Sequence, residues 1–144
     1  MQLDKFSDYA LRVMMVLAVR APERVSAREI ADTFAISENH VAKIATVLVR
    51  EGYVLSQRGR AGGLCLAHPA AEISVGAVLR QIKAPPPVAE CFAAGTSCRI
   101  LPACGLRSPL KDAQEAFFTV LDGYSLADIT VQQGALAGLL AAAS

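Results

Sequence analysis

Three cysteines lie within fourteen residues and are the strongest candidates for chemistry in this 144-residue chain. Cys91, Cys98 and Cys104 follow a C-x6-C-x5-C spacing, which is wider than the C-x2-C knuckles of structural zinc sites. Thiolates are soft ligands that suit iron–sulfur clusters as well as zinc. Because their loop also contains Gly95 and Pro102, it can bring the three sulfurs to one centre. The spacing therefore predicts a metal or redox site.

A cubane cluster needs a fourth ligand, since this loop supplies three thiolates and no histidine. The sequence leaves several donors open: Asp8, Cys65, Glu90, a small thiol or solvent. Cys65 lies on a predicted strand and is better explained there as a small hydrophobic residue. Asp8 also has a simpler role as an acidic residue in the first turn of a helix, with Arg12 one turn later as its ion-pair partner.

A second group of chemistry-bearing residues occupies a helix predicted from Ser37 to Glu51. Its apolar residues share one face, and its polar residues recur on the other face at spacings of 4, 3 and 4: Asn39, Lys43, Thr46 and Arg50. Ser37, Asn39 and His40 are at the N-terminal end, where a helix in the major groove contacts base edges. Lys43 and Arg50 suit phosphate. This pattern predicts a DNA-reading helix, although a solvated helix face would share it.

The segment Arg58-Gly59-Arg60-Ala61-Gly62-Gly63 forms a predicted turn between strands at residues 53–57 and 64–67. Arg58 and Arg60 can reach a minor groove or the phosphate backbone, and Gly62 and Gly63 would let the turn lie close to phosphate. Residues 39–68 carry a net charge of +3, against +1 for the whole chain. Such a local basic strip can meet DNA without a basic protein overall, although an ordinary hairpin explains the turn equally well.

The elements that must position these groups follow the order of a winged helix-turn-helix. A buried helix is predicted at residues 6–19, with Ser7 or Asp8 at its start. The capping box at Ser26 and Glu29 opens a short second helix, which precedes the reading helix and the hairpin. A further helix is predicted at residues 74–82. The expected fold class is mainly α with a small β-hairpin wing.

Prolines at positions 85–87 divide the chain, because a helix cannot continue through them. We expect a DNA-binding domain at 1–83, a proline hinge and cysteine loop at 84–107, and a dimerisation helix with a tail at 108–144. Ser108 and Pro109 are the predicted N-cap and first residue of that helix. A heptad-like seam along it favours a homodimer over packing on the first helix of the same chain: Leu106, Leu110, Ala113, Phe117 and Val120.

Composition excludes several classes of protein. No apolar run approaches the roughly 18–20 residues that a membrane span requires, and the N-terminus lacks the pattern of a signal peptide. We therefore expect a cytoplasmic protein without a membrane partner. The chain has no phosphate loop, no flavin or nucleotide fingerprint and no plausible nucleophile–base pair, so we do not expect an enzyme.

Several segments resemble the bacterial winged-helix iron–sulfur transcription regulators, the family of IscR and NsrR. The resemblance covers nearly the whole chain and includes Met1-Gln2-Leu3, Phe6-Ser7-Asp8-Tyr9-Ala10-Leu11-Arg12, Ser37-Glu38-Asn39-His40-Val41-Ala42-Lys43-Ile44, Glu51-Gly52-Tyr53-Val54, the glycine-basic turn, the three cysteines and Leu121-Asp122-Gly123-Tyr124-Ser125-Leu126-Ala127-Asp128-Ile129. The nitric-oxide-sensing branch fits best. IscR-type members of the family place a histidine ligand three residues after the third cysteine. This chain has Arg107 at that position, and a guanidinium cannot ligate iron.

The resemblance implies a homodimer that represses genes of nitric-oxide defence by binding an inverted-repeat operator. It implies an iron–sulfur cluster of the 4Fe–4S type, with 2Fe–2S as the alternative, held by Cys91, Cys98 and Cys104. Asp8 matches the acidic ligand that the partner subunit donates in some relatives. The first cysteine spacing departs from the family, with six intervening residues where relatives often have five.

Two other functions stay open from the sequence. The same DNA-binding fold could carry the cysteines as a thiol-redox switch or a zinc site. A transcription regulator that responds to the iron–sulfur status of the cell would use the same DNA-binding fold and the same three cysteines.

Overall fold

A computed structural model describes residues 3–83 and 87–141 of the chain. The described part contains helices and one antiparallel hairpin, with these bounds: α1 Lys5–Arg20, α2 Ala27–Phe34, α3 Glu38–Arg50, β1 Val54–Gln57, β2 Gly63–Leu66, α4 Val75–Ile82, α5 Arg107–Asp122 and α6 Gln133–Ala141. Single 3₁₀ turns occur at Ala70–Glu72, Glu90–Phe92, Leu101–Ala103 and Asp128–Thr130. The predicted fold class, mainly α with a β-hairpin wing, is confirmed.

The first helix lies at the centre of the core, because it is apolar around most of its circumference. Its buried residues are Ser7, Ala10, Val13, Met14, Val16, Leu17 and Ala18. The N-cap is Asp4, whose Oδ1 accepts hydrogen bonds from the backbone N–H groups of Phe6 (3.0 Å) and Ser7 (3.3 Å). The cap is therefore neither Ser7 nor Asp8 as expected, although Asp8 is the acidic residue of the first turn. α1 begins earlier, and Asp4 has the extended backbone that an N-cap adopts.

Helices α2 and α3 form the helix-turn-helix, and both have serine caps. The Ser26 hydroxyl accepts from the Glu29 N–H (3.2 Å), while the Glu29 carboxylate accepts from the Ser26 N–H (2.9 Å). Ala35 turns the chain in the left-handed region, with φ of 51°. Ser37 then accepts from the His40 N–H (3.2 Å). The capping box and the second cap are confirmed.

The wing is joined to the helical core by a third extended segment. β1 and β2 pair antiparallel with Val54 opposite Leu66. The backbones of Val25 and Leu64 exchange hydrogen bonds of 2.9 and 2.8 Å, so the connection between α1 and α2 lies beside β2. Val54, Leu64 and Val25 are buried, which anchors the hairpin and leaves its tip free.

The long helix α5 begins before the predicted cap. Its N-cap is Leu106, which makes no side-chain cap bond, and Ser108 and Pro109 lie within the first turn. Proline is tolerated there because the first N–H groups of a helix have no intrahelical partner. The predicted N-cap at Ser108 was therefore wrong.

α5 packs on α4, whose N-cap is Ser74. Phe118, which lies outside the predicted seam, is 4% exposed and forms a small core with Val75 and Leu79. Two residues of the seam stay open to solvent, with Leu106 61% and Val120 63% exposed, whereas Phe117 is half-buried and packs against this small core. In the described chain α5 packs mainly on α4, and from the first helix Leu11 contacts the edge of this small core, so packing on the first helix is not the main contact of α5.

A charge network fixes α5 against α4. The Arg80 guanidinium donates to the carboxylates of Glu115 (2.6 Å) and Asp122 (3.0 Å) and lies 5.0 Å from the centre of the Phe118 ring. Hydrogen bonds from Arg80 lower the pKa of the Glu115 carboxyl below its ordinary value. This network sets the direction in which α5 leaves the winged helix.

The predicted proline hinge lies partly outside the described residues, because Ala84, Pro85 and Pro86 are not among them. α6, which the sequence analysis did not predict, packs against α1. Within residues 3–83 and 87–141, none of the helices combines the length and the apolar character that crossing a membrane requires.

Candidate cluster loop and nucleic-acid interface

The three cysteines of the predicted site lie on residues 87–107, between α4 and α5. All three are free thiols; Cys91 and Cys104 are half-buried and Cys98 is exposed. Two single 3₁₀ turns are the only regular structure that the described part of this loop contains. No residue from 87 to 107 is buried as a whole, so the loop has little packing to hold it in one arrangement.

Two of the three thiols share a small cavity. Cys91 and Cys98 line a space of about 230 Å³ together with Glu90, Thr96 and Ser97. The Oγ1 atom of Thr96 is buried and has no hydrogen-bond partner among the described residues. The cavity is therefore lined by two soft sulfur ligands and one unpaired hydroxyl.

The third thiol lines a different cavity. Cys104 lies beside Ile100, Pro102 and Leu106 around a space of about 640 Å³. A contact between the two ends of the loop nevertheless brings these segments together. The Arg107 guanidinium lies 5.4 Å from the centre of the Phe92 ring. Phe92 follows Cys91 directly, and Arg107 is three residues after Cys104, so the loop closes on itself.

The donor set fits an iron–sulfur cluster by its chemistry. Three thiols without a disulfide are the ligands that cluster iron prefers, and two of them already share a cavity. In the described part of the chain, no group of three His, Cys, Asp or Glu side chains converges closely enough to hold a metal ion. Cys104 must therefore turn towards the cavity of Cys91 and Cys98 for all three to act together.

Asp8 lies on α1 and is paired with Arg12, as the simpler interpretation predicts. Arg12 Nη2 is 3.0 Å from Asp8 Oδ2, and the Asp8 side chain is 41% exposed. The same guanidinium lies 5.5 Å from the centre of the Tyr9 ring and 5.9 Å from that of Phe34. No hydrogen bond or ion pair joins Asp8 to residues 87–107 within the described chain. The carboxylate is therefore partly open to solvent.

The predicted reading face of α3 is exposed. Asn39, Lys43 and Arg50 are exposed on the side opposite the buried Val41, Ile44, Ala45 and Leu48. Arg50 is paired with Glu51, with Nη2 2.7 Å from Oε1. Ser37 is exposed, and its hydroxyl is already used to cap the helix. Asn39 and Lys43 are thus presented outward from a rigid helix.

His40 is placed differently from its neighbours on α3. Its ring is 6.4 Å from the Phe6 ring, where it stacks, and 5.5 Å from the Tyr9 ring, which it meets edge-on. Its Nε2 is buried and has no partner in the described structure. In this arrangement His40 joins α3 to α1 and does not present Nε2 for a base edge.

The wing tip presents its arginines and uses its glycines for its own geometry. Arg58 and Arg60 are exposed, and neither forms an ion pair with any described residue. A Cβ on Gly62 would collide with the carbonyl oxygen of Gln57, and Gly63 has φ of 142°. The close approach of backbone segments thus explains both glycines without a phosphate.

Two polar side chains that the sequence analysis did not select lie beside these sites. Arg24 packs beside Gly63 at the base of the wing, and its Nη1 is buried without a described partner. Thr96 has the same property in the cysteine cavity. No sequence signal marks either residue, because an unsatisfied hydrogen-bonding group is a property of the folded neighbourhood.

Comparison with known proteins connects this geometry to a family. A model for Rrf2, described as iron-dependent transcriptional regulator, matches residues 3–132. The chain belongs to the Rrf2 family. Its members regulate transcription, which confirms the predicted family and a DNA-binding regulator rather than an enzyme.

Curated relatives are similar over nearly the whole chain. An HTH-type transcriptional regulator NsrR from Geobacillus kaustophilus is 44% identical over 142 residues, which cover 97% of each chain. A protein of the same name from Oceanobacillus iheyensis is 37% identical with the same coverage.

Solved structures share this Rrf2 fold. CymR (YrzC), the global cysteine regulator of B. subtilis, is 25% identical with a TM-score of 0.69 and covers 92% of this chain and 98% of its own. The oxidized form of Staphylococcus aureus CymR is 25% identical with a TM-score of 0.70, covering 90% and 95%. T. potens IscR, at 24% identity, has a TM-score of 0.71 and covers 92% and 88%.

Proposed function

We propose that the chain is a homodimeric, cytoplasmic repressor that binds an inverted-repeat operator and releases it when nitric oxide reacts with an iron–sulfur cluster. The observation that carries this proposal is the shared cavity of Cys91 and Cys98 on a loop closed by Phe92 and Arg107. The similarity to two regulators named NsrR supports it.

In this proposal Cys91, Cys98 and Cys104 hold the cluster, of the 4Fe–4S type with 2Fe–2S as the alternative, and Asp8 of the partner subunit is the fourth ligand. When bound, the cluster supplies iron at which nitric oxide binds. A carboxylate is a hard ligand and a weaker partner for this iron than thiolate, so that position is the labile one. Asp8 either ligates iron or pairs with Arg12, and loss of the first contact restores the second.

The DNA interface in this proposal is the exposed face of α3 with the tip of the wing. Asn39 reads a base edge, Lys43 and Arg50 contact phosphate, and Arg58 and Arg60 reach the backbone or minor groove. Ser37 positions α3 through its cap, and Gly62 and Gly63 shape the wing. His40 contributes through its packing on α1.

The two reading helices must be about 34 Å apart to enter successive major grooves, so the dimer geometry controls binding. The exposed seam of α5 is the proposed dimer surface, since Leu106 and Val120 are open to solvent in one subunit. The division into a DNA-binding domain at 1–83, a hinge and cysteine loop at 84–107, and a dimerisation helix with a tail at 108–144 is part of the same proposal. Residues 87–107 couple the cluster to α5.

The test is anaerobic purification followed by an absorbance spectrum, iron and sulfide analysis, and operator binding at fixed salt. We expect a coloured dimer with close to one cluster per subunit, and we expect its operator complex to dissociate as nitric oxide is titrated. If the protein contains iron but its operator binding does not change with nitric oxide, nitric oxide is not the signal. A colourless, iron-free protein would overturn the cluster.

The fourth ligand is tested by Asp8→Ala with Glu90→Gln as the matched control. Both carboxylates are candidate fourth ligands from the sequence, but only Asp8 is proposed to bind iron. Asp8→Ala should change the cluster spectrum and speed cluster loss, while DNA binding without metal is kept and Glu90→Gln resembles the parent protein. The reverse result would place the fourth ligand on the cysteine loop itself, because Glu90 lines the cavity of Cys91 and Cys98.

A second candidate function keeps the DNA-binding fold and uses the cysteines as a thiol-redox switch or a zinc site. The observation that favours the redox switch is that Cys91 and Cys98 share a cavity from which Cys104 is separate. An iron-free protein whose operator binding responds to oxidant, or which contains zinc, would select this function over the first.

A further inference from the structure

Thr96 differs from other threonines of the described chain in what its hydroxyl contacts. The other hydroxyls with a described contact donate to a backbone carbonyl four residues earlier on a helix or turn: Thr33 to Glu29, Thr46 to Ala42, Thr119 to Glu115 and Thr130 to Leu126. Thr96 lies in an irregular segment of the loop, and its hydroxyl makes no such bond to a backbone carbonyl. Its Oγ1 is buried and has no described partner.

A buried hydroxyl without a partner costs free energy, so it is retained where a ligand completes it. Thr96 lines the same cavity of about 230 Å³ as Cys91 and Cys98. Ser97, the other hydroxyl of this cavity, is exposed and can be hydrated. Glu90 is exposed, and its ionised carboxylate can only accept hydrogen bonds. Thr96 is therefore the desolvated donor beside the two sulfurs.

We propose that Thr96 donates a hydrogen bond to a sulfur of the cluster held by Cys91 and Cys98. This inference rests on the proposed function. The hydrogen bond stabilises negative charge on the sulfur, so it favours the reduced cluster and raises its reduction potential. Thr96 is thus a positioning residue that adjusts the cluster without ligating iron.

The experiment compares Thr96→Val, which keeps the shape and removes the hydroxyl, with Thr96→Ser, which keeps the hydroxyl. Ser97→Ala is the control in the same cavity. The reduction potential of the loaded protein is measured by anaerobic spectroelectrochemistry, and the thermal midpoint is measured on the same variants without metal. We expect Thr96→Val to disfavour the reduced cluster about tenfold, which is about 59 mV for one electron. Thr96→Ser and Ser97→Ala should stay close to the parent.

Without metal, Thr96→Val should unfold at the same temperature as the parent or higher, because the variant removes an unsatisfied group. A lower midpoint would mean that the hydroxyl has a protein partner, and the inference would be wrong. An unchanged potential in a loaded Thr96→Val protein would also overturn it. A parent protein that takes up no iron would overturn the proposed function itself, which separates the two failures.

Discussion

The helix-turn-helix and the cysteine loop satisfy their backbones and bury their side chains to very different extents. Residues 27–50 form two helices with serine-capped N-termini over a continuous apolar face, whereas residues 87–107 contain two single 3₁₀ turns and no fully buried residue. In the helix-turn-helix, residues of the same segment cap the helix N-termini and supply the apolar face. The cysteine loop has a cavity with two thiols and an unpaired hydroxyl, so it is the region that a ligand can reorganise.

Between these two regions lies α5, held by α4 on one side and exposed on the other. Phe118 is buried against Val75 and Leu79, while Val120 is 63% exposed. A change at the loop can therefore reach the proposed dimer surface through a single helix whose start, Arg107, contacts the loop at Phe92.

The largest expected contrast is between a core substitution and a loop substitution of similar chemistry. Leu48 is fully buried on α3, and Ile100 is 66% exposed on the loop. Leu48→Ala should lower the free energy of unfolding by about 2–5 kcal/mol, because it removes transfer energy and leaves a cavity. Ile100→Ala should change it by less than about 0.5 kcal/mol. Urea unfolding of the metal-free protein measures both, and equal losses would contradict the contrast.

A smaller effect is expected at the junction of α4 and α5. A Cβ on Gly76 would collide with the Asp122 side chain and lie 2.8 Å from the Phe118 carbonyl oxygen. Gly76→Ala should therefore cost about 1–3 kcal/mol through overpacking. Gly105→Ala in the loop, where nothing lies within 4 Å of the added atom, is the control. Thermal unfolding should separate the two variants; similar midpoints would show that the helices adjust without cost.

The smallest expected effect is on the pH dependence of stability through the Glu115 carboxyl. Arg80 lowers the pKa of the Glu115 carboxyl in the folded chain. The contribution of this ion pair to folding stability is therefore fully present above the ordinary glutamate pKa of about 4.3. That contribution is lost as the pH falls through the lower pKa of the folded state. Arg80→Gln should return the Glu115 pKa towards its ordinary value, which carboxyl NMR titration measures. The Glu29 pKa, lowered by the Ser26 backbone, should not move. A Glu115 pKa that stays low would assign the shift to another group.

Local signals were sufficient for most of the winged helix. Short-range patterns specify the caps at Ser26 and Ser37 and the hairpin at residues 54–66, because the groups that interact are three or four residues apart or directly opposite. The cap of α1 was misplaced because Ser7, Asp8 and Asp4 are all good cap residues, and only the backbone selects among them. α5 shows the same limit, since Ser108 lies inside the first turn.

For the candidate site too, some features could be predicted from the sequence and others depend on the folded structure. Residue types and spacing alone select the three cysteines, since soft thiolates are recognisable without coordinates, whereas Asp8 was one of several possible donors and was singled out by the family resemblance. Which thiols share a cavity, and that Cys104 lies apart from them, depends on the path of an irregular loop. His40 was selected for its chemistry, yet its ring packs on Phe6 and Tyr9, from a distant part of the sequence.

The sequence by itself therefore determined most of the helices and the wing, because periodicity and capping act over short stretches of chain, and its motifs identified the regulator family; it also selected the three thiols as candidate ligands. Only the tertiary structure decided that Phe118, which lies outside the seam, is the residue of α5 buried against α4, and that Thr96 is left unpaired beside Cys91 and Cys98. These outcomes depend on which distant surfaces exclude water from each other, and no local pattern records that.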